Sequence, residues 1–419
     1  MDRIERSIHN VISDRIEAYS VIELTEIHDS YRELFGAILR ITNSTELRTL
    51  SKGGRTMKKK KILHVIPSFG VGGAEKLVLD YLTYFPREKA DVRAISMYPN
   101  GSTHYDKLIK ERQLNVYYLD KKPGLDLSMT RKINKIINDF NPDVVHSHLY
   151  CMKYLLPLVA IRSNRKAFHT IHNEPQRDAM GIDMIANKLA FKYFGVIPIA
   201  LTDDLRNKVN QYYGVNNSVT VHNGVYLDKF RKIGIDAFDA KKRLGLPSNS
   251  FVIGHVGRFF EQKNHTFVID IFYDVLKKRK DSYLLLVGDG ELRGEIEDKV
   301  EKLGVSNNVK FLGIRKDIPE IFRAMDVFLF PSIHEGFPIT LIEAQAVGVK
   351  CVISSVIDKN SVLSEHTLRL ALDDSVEHWS EVILDPTLSN NDFRNIDDYD
   401  IMKITERLLD VYGIMVETT

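Results

Sequence analysis

From residue 61 onward, short apolar runs alternate with stretches of helical period. "KILHVIP" (61–67), "DVRAISMY" (91–98), "NVYYL" (115–119), "DVVHSHL" (143–149), "KAFHTIH" (166–172), "VIPIALT" (196–202) and "SVTVHNG" (218–224) read as strands. Between most of them apolar residues recur every three to four positions, as in "GVGGAEKLVLDYLTYF" (70–85), a glycine-rich turn opening a helix. The rhythm fades in a polar stretch at 225–250. It resumes with "FVIGHVGRF" (251–259), "YLLLVGDG" (283–290), "NVKFLG" (308–313), "DVFLFPS" (326–332) and "VKCVIS" (349–354). Strands alternating with helices predict parallel sheets covered on both faces. The pattern therefore predicts two doubly wound α/β units, 57–230 and 231–399, with a last helix at 400–419 that crosses back to the first unit. Ligands of such sheets bind beyond the carboxyl ends of the strands.

Residues 1–56 differ. Ile4, Ile8, Val11, Ile12, Ile16 and Tyr19, then Tyr31, Leu34, Phe35, Ile38 and Leu39, recur at helical spacing and predict two amphipathic helices. Purine-rich codons can encode Lys52-Gly53-Gly54, which resembles a bacterial ribosome-binding site just ahead of Met57. Two readings stand side by side: an upstream extension with the start at Met57, or a helical appendage packed on the core. Mass spectrometry of the native N-terminus separates them.

The 419 residues suit two or three domains, and 44% hydrophobic with 27% charged residues suits real cores. A net charge of +2 gives no field for nucleic acid. The basic clusters at 58–61 and 277–280 read as solvated faces, with contact to an anionic membrane surface as the alternative. Two cysteines without Cys-x-x-Cys spacing suggest neither a zinc site nor a disulfide framework, and point to a reducing, cytoplasmic compartment. No apolar run reaches the roughly 18 residues of a membrane span, and the N-terminus does not read as a secretory signal.

Three stretches carry candidate chemistry. Gly70 to Ala74 follows the first strand and opens a helix, whose N–H groups suit an anion. Glu75 breaks the dinucleotide fingerprint, and no P-loop Lys-Ser/Thr follows. In "GHVGRFFEQKNH" (254–265), Arg258 and Lys263 follow Gly257 at a strand end and could clamp a diphosphate. In "HEGFPITLIE" (334–343), a loop leads into a helix, with Pro338 expected in its first turn. On one helix, Glu335 and Glu343 would lie about 12 Å apart. Carboxyls acting on one glycosidic bond lie roughly 5–9.5 Å apart. The spacing therefore favours a grip on both ends of a hydroxyl-rich ligand. Among His146, His148, His169 and His172, only one of each pair is expected to face the cleft. No Cys or carboxylate completes a zinc site there, so none is predicted.

The ordered set "GGAEK", "HNGVYLDKF" (222–230), "GRFFEQKN" and "HEGFPITLIE" resembles retaining nucleotide-sugar glycosyltransferases of GT-B fold. With "HSHLY" and "DDSVEHWSEVIL", it is similar to the capsular and exopolysaccharide type; residues 1–56 lie outside the likeness. The resemblance implies transfer of a hexosyl group, with retention, from a nucleotide diphosphate sugar to a glycan or lipid-linked hydroxyl. A UDP-sugar donor, no cofactor, no metal, and peripheral contact with the inner membrane face are further expectations. It implies that Arg258 and Lys263 hold the diphosphate, Glu335 the donor sugar and Glu343 the ribose. Gly72, Gly73, Gly257, Gly336, Phe337, Ile339, Thr340 and Leu341 would border the donor. His172 would stand by the reacting sugar, and His148 and Asn173 on the acceptor side. The rivals are a sugar-nucleotide epimerase of the same architecture and a non-catalytic nucleotide-sugar-binding subunit.

Overall fold

A computed structural model describes residues 59–70, 72–160, 165–387 and 396–414. The helices expected within 1–56, and the alternative start at Met57, lie outside the described residues. The chain forms two all-parallel sheets. The first runs β3-β2-β1-β4-β5-β6-β7. Its strands are β1 Lys60–Ile66, β2 Ala90–Ser96, β3 Val116–Tyr118, β4 Val144–His148, β5 Lys166–Ile171, β6 Ile197–Ala200 and β7 Val219–Thr220. The second runs β10-β9-β8-β11-β12-β13. It comprises β8 Phe251–Val256, β9 Ser282–Val287, β10 Val309–Gly313, β11 Val327–Phe330, β12 Lys350–Ser354 and β13 Thr367–Leu370.

Helices cover both faces, so central strands are buried throughout: all five residues of β4 and all four of β11. Every strand expected from the pattern is present. The sequence misses β13, a four-residue edge strand whose "TLRL" includes exposed Arg369. Pro338 also departs from expectation. It is the N-cap of helix Ile339–Val347, not a member of its first turn.

The order reverses between β1 and β4 in one sheet, and between β8 and β11 in the other. Such reversals open a crevice at the strands' carboxyl ends. "GGAEK", "HSHLY", "GRFFEQKN" and "HEGFPITLIE" each begin at one of these two crevices, whereas "HNGVYLDKF" lies in the linker and "DDSVEHWSEVIL" follows the edge strand β13.

The last helix, Ile401–Val411, places Ile401, Ile404, Leu408 and Leu409 on one stripe. That stripe packs with Ile62, Leu77, Tyr81, Phe85 and Phe168 of the first unit. The crossing is pinned by backbone bonds, Val225 N–H to Tyr399 O at 2.8 Å and Ile401 N–H to Val225 O at 2.9 Å. The linker and the chain's end therefore run together between the two units.

Candidate functional site

The β8/β11 crevice carries the strongest charges. Beyond β8, a 3-10 turn at Glu261–Lys263 brings the Lys263 ammonium to 2.6 Å from Glu335 Oε1. Their side chains are 18% and 8% exposed, so the pair is largely shielded from water. The ammonium also lies 4.7 Å from the centre of the Phe330 ring. Arg258 is free of this pair; its guanidinium is exposed and donates to Glu291 Oε1 at 3.0 Å. The loop after β9 supports this corner. Gly288 has φ +130°, and a Cβ there would sit 2.0 Å from Gly257 O. Only glycine allows both that conformation and that approach.

Across the crevice, Gly72 caps helix Gly73–Tyr84 without any side-chain bond. The Glu75 carboxylate folds against Gly70 and Gly72. Burial pushes this carboxyl up, while its own backbone N–H and the Arg258 charge oppose the rise. Arg258 thus acts electrostatically on the glycine turn of the other unit. Next to Glu75, Lys76 Nζ pairs with Asp80 Oδ2, one turn on, at 2.5 Å. Glu343 is 6% exposed and pushed up to about 7 by burial, with the charges of Lys76 and Lys229 opposing the rise and that of Asp80 adding to it.

The two crevices touch at Gly336. A Cβ at this position would lie 1.9 Å from His172 O, a backbone atom that has no rotamer to escape with. Gly336→Ala must therefore move the Glu335 loop away from the end of β5. A shift near 1 Å at such a site costs about 100-fold in rate. The expected result is a fall of about that size in kcat/KM with the melting temperature little changed. An unaltered kcat/KM would show that the loop works in another position.

His172 is held from below. Its backbone N–H donates to Asp178 Oδ1 at 2.7 Å, and the Asn173 backbone N–H donates to the same oxygen at 3.2 Å. Burial pushes the Asp178 carboxyl up to about 7. Asp178→Ala leaves two N–H groups without their acceptor, and should lower unfolding free energy by about 1–3 kcal/mol in urea titrations. Asp178→Asn keeps an acceptor oxygen there and should recover most of the loss.

The histidine expectation needs correction. His146 and His148 share one face, as residues two apart on a strand must, with ring centres 4.4 Å apart. His148 is fully buried, its nitrogens 3.0 Å from His64 Nδ1 and 3.2 Å from His172 Nε2. It stands behind His172 and offers no surface to an acceptor. His146 bonds Tyr412 OH at 2.6 Å and Thr170 Oγ1 at 2.7 Å. His64, His146 and His148 approach closely enough to share a metal ion. All their ring nitrogens except His64 Nε2 are already hydrogen-bonded, so the donor set fits a polar core better than a metal site.

The structure thus gathers Lys263, Glu335, Gly336, Phe337 and His172 at one place, with Arg258 and Gly72 at its rim. Phe337 is buried, stacked on Tyr399 with ring centres 5.5 Å apart, and its carbonyl accepts from Asn223 Nδ2 at 3.0 Å. Leu341 is fully buried and Ile339 nearly so, leaving Thr340 partly open. A Cβ on Gly73 would meet nothing within 4 Å, so space remains there. The sequence reading missed His64, Lys76, Asp80 and Asp178. Two signals were available: a histidine inside an apolar strand, and a Lys–Asp pair four apart on the helix behind the glycine turn.

Two family models match: "Glycosyltransferase Family 4" over residues 71–229 and "Glycosyl transferases group 1" over 236–390. The chain is 28% identical over 377 residues to the putative glycosyltransferase EpsF of Bacillus subtilis, covering 86% of this chain and 98% of that one. It is 27% identical over 387 residues to the UDP-Gal:alpha-D-GlcNAc-diphosphoundecaprenol alpha-1,3-galactosyltransferase of Escherichia coli, covering 86% and 98%. The capsular polysaccharide biosynthesis glycosyltransferase CapH of Staphylococcus aureus is 26% identical over 363 residues, covering 84% and 98%. In structure, Anabaena HepE, crystallised with UDP and glucose, superposes with a TM-score of 0.70 at 19% identity, over 85% of this chain and all of that one.

Proposed function

This chain belongs to the GT-B glycosyltransferases of polysaccharide biosynthesis, and we propose that it moves a hexosyl group with retention from a UDP-sugar to a lipid-linked glycan. The observation that carries the reading is the Lys263–Glu335 pair, held at a strand-order reversal against His172 of the opposite unit. The E. coli relative, by its name, takes UDP-galactose and a diphosphoundecaprenol-linked acceptor. That supports the same classes of donor and acceptor here.

In this reading the donor inserts between the paired charges. Glu335 accepts from the sugar hydroxyls, and Lys263 and Arg258 take the diphosphate oxygens. The uncapped N-terminus of helix Ile339–Val347 adds positive potential. These groups stabilise the leaving UDP, so the reaction requires no metal ion. In this reading Glu335 grips the sugar hydroxyls and Asp178 lies buried beneath His172, so neither serves as a covalent nucleophile. The acceptor oxygen attacks C1 on the face the phosphate leaves. The C1–O(acceptor) bond forms, the C1–O(phosphate) bond breaks, and a phosphate oxygen takes the acceptor proton. Closure of the two units limits hydrolysis by water. Glu343, buried among Lys76, Asp80 and Lys229, takes the ribose once donor binding parts that cluster.

Among the described residues no helix is long and apolar enough to cross a membrane. Meeting a lipid-linked acceptor therefore calls for peripheral contact with the inner face of the membrane. The test is UDP release from UDP-galactose, UDP-glucose and UDP-N-acetylglucosamine, with and without a GlcNAc-diphospholipid and in EDTA. An α-linked product seen by NMR supports the reading, and a β-linked product removes retention. Calorimetric binding of a donor with no turnover on any acceptor or on water makes the chain a binding subunit.

A further inference from the structure

Three imidazoles run in line from the interior of the first sheet to the cleft. His64 Nδ1 lies 3.0 Å from His148 Nε2, and His148 Nδ1 lies 3.2 Å from His172 Nε2. His64 and His148 are fully buried, while His172 retains 8% exposure. The strands dictate the line. β1 pairs with β4 and β4 with β5, with His64 opposite His146 and His148 opposite Thr170. Burial pushes the His172 ring down to about 4, the His64 ring to about 3, and His148 well below its ordinary value. All three are therefore neutral near pH 7, with one N–H and one lone pair each.

In a chain of neutral rings every link must be one donor meeting one acceptor, so the three tautomers are not independent. Only two arrangements exist. Either all N–H groups point from His64 toward the cleft, or all point back. The far end decides between them. His64 Nε2 is buried and has no partner among the described residues. Pointing back would leave an N–H orphaned at that atom, and pointing outward would leave a lone pair. Orphaned buried N–H groups are the rarer of the two.

We propose that His64 and His148 are positioning residues that lock His172 in the tautomer carrying its proton on Nδ1, so that it presents a fixed hydrogen-bond donor to the sugar-phosphate oxygens at the reacting centre. No hydrogen bond to His172 Nδ1 is found among the described residues, and that nitrogen is not among the buried unpartnered atoms. The assignment rests on the reading of His172 as facing the donor sugar. It also limits the ring's chemistry. A locked Nδ1–H cannot accept the acceptor's proton, which leaves the phosphate oxygen to do so.

The test is the full chain labelled with 15N-histidine, its imidazole tautomers read by long-range proton–nitrogen NMR near pH 7. The wild type should show His172 protonated on Nδ1 and not on Nε2. His148→Phe keeps a flat ring but breaks both links, and should give mixed tautomers at His172. Its kcat for transfer from the best UDP-sugar should fall at least about tenfold, with donor KM little changed. His148→Gln retains a donor to His172, and should restore the single tautomer and part of the rate; it also serves if the Phe variant fails to fold. Wild-type His172 protonated on Nε2, or an unchanged tautomer in folded His148→Phe, overturns the lock. Mixed tautomers with an undiminished rate would support the lock and remove His172 from the reacting centre.

Discussion

Lys263→Ala should lower kcat/KM for transfer by about a thousandfold or more while the chain stays folded. Lys263 neutralises Glu335 at 2.6 Å. During reaction it faces a diphosphate whose charge grows as the C1–O bond breaks. Removing one such preorganised group costs about 100- to 1,000-fold. Here the loss is compounded, because the Glu335 carboxylate is left shielded from water without its counter-charge and loses its orientation toward the sugar. Lys263→Ala and Glu335→Ala should therefore behave as one unit, with the double variant scarcely slower than either single one. The measurements are initial rates of UDP release with acceptor, and melting by circular dichroism. Collapse of either melt would make the residue structural, and additive losses would separate their roles.

Acidification below about pH 6.5 should destabilise the protein. Burial holds His64, His146, His148, His169, His172, His255 and His265 below the ordinary histidine range. An unfolded histidine takes up a proton below about pH 6.5, while these buried rings do not until far lower pH. The unfolded state thus binds more protons, and stability falls with pH through this window. Each ring contributes about 1.4 kcal/mol per pH unit. Asp178 and Glu343, raised to about 7, act in the opposite sense, as do Glu75, Asp80 and Asp183, since burial favours their protonated forms. The seven rings outnumber these five carboxyls, so the net effect is a loss of stability as pH falls below about 6.5. Trp379, the single tryptophan and fully buried, reports the second unit, and far-ultraviolet dichroism reports both. Stability constant from pH 7 to 4.5 would mean that the histidines are charged or solvated in the folded state.

The fold was legible because parallel strands announce themselves locally. "VVHSH" and "VFLF" are short, bounded by loops and followed by helical period, and their neighbours repeat the same unit. β13 escaped because an edge strand carries half the burial and little pattern. The positions of Arg258, Lys263 and Glu335 at the crevice were readable for the same local reason, each lying just past a strand. His64, Lys76, Asp80 and Asp178 were not. Their meaning depends on which strands become neighbours and which helix faces Glu343, and no spacing along the chain records that. The expectation for His148 failed on elementary grounds: a period of two places His146 and His148 together, and burial then turned a supposed contact into a support.

The paired crossing at Val225 and Ile401 has a mechanical consequence. Two segments tied side by side behave as a door hinge and not as a tether. Such a pairing restrains twist and sliding of the second unit against the first more than a single linker would, and so favours return of Gly336 to its place beside His172. Cutting the chain before Ile401 would spare the residues around Lys263 and Glu335 but remove that restraint.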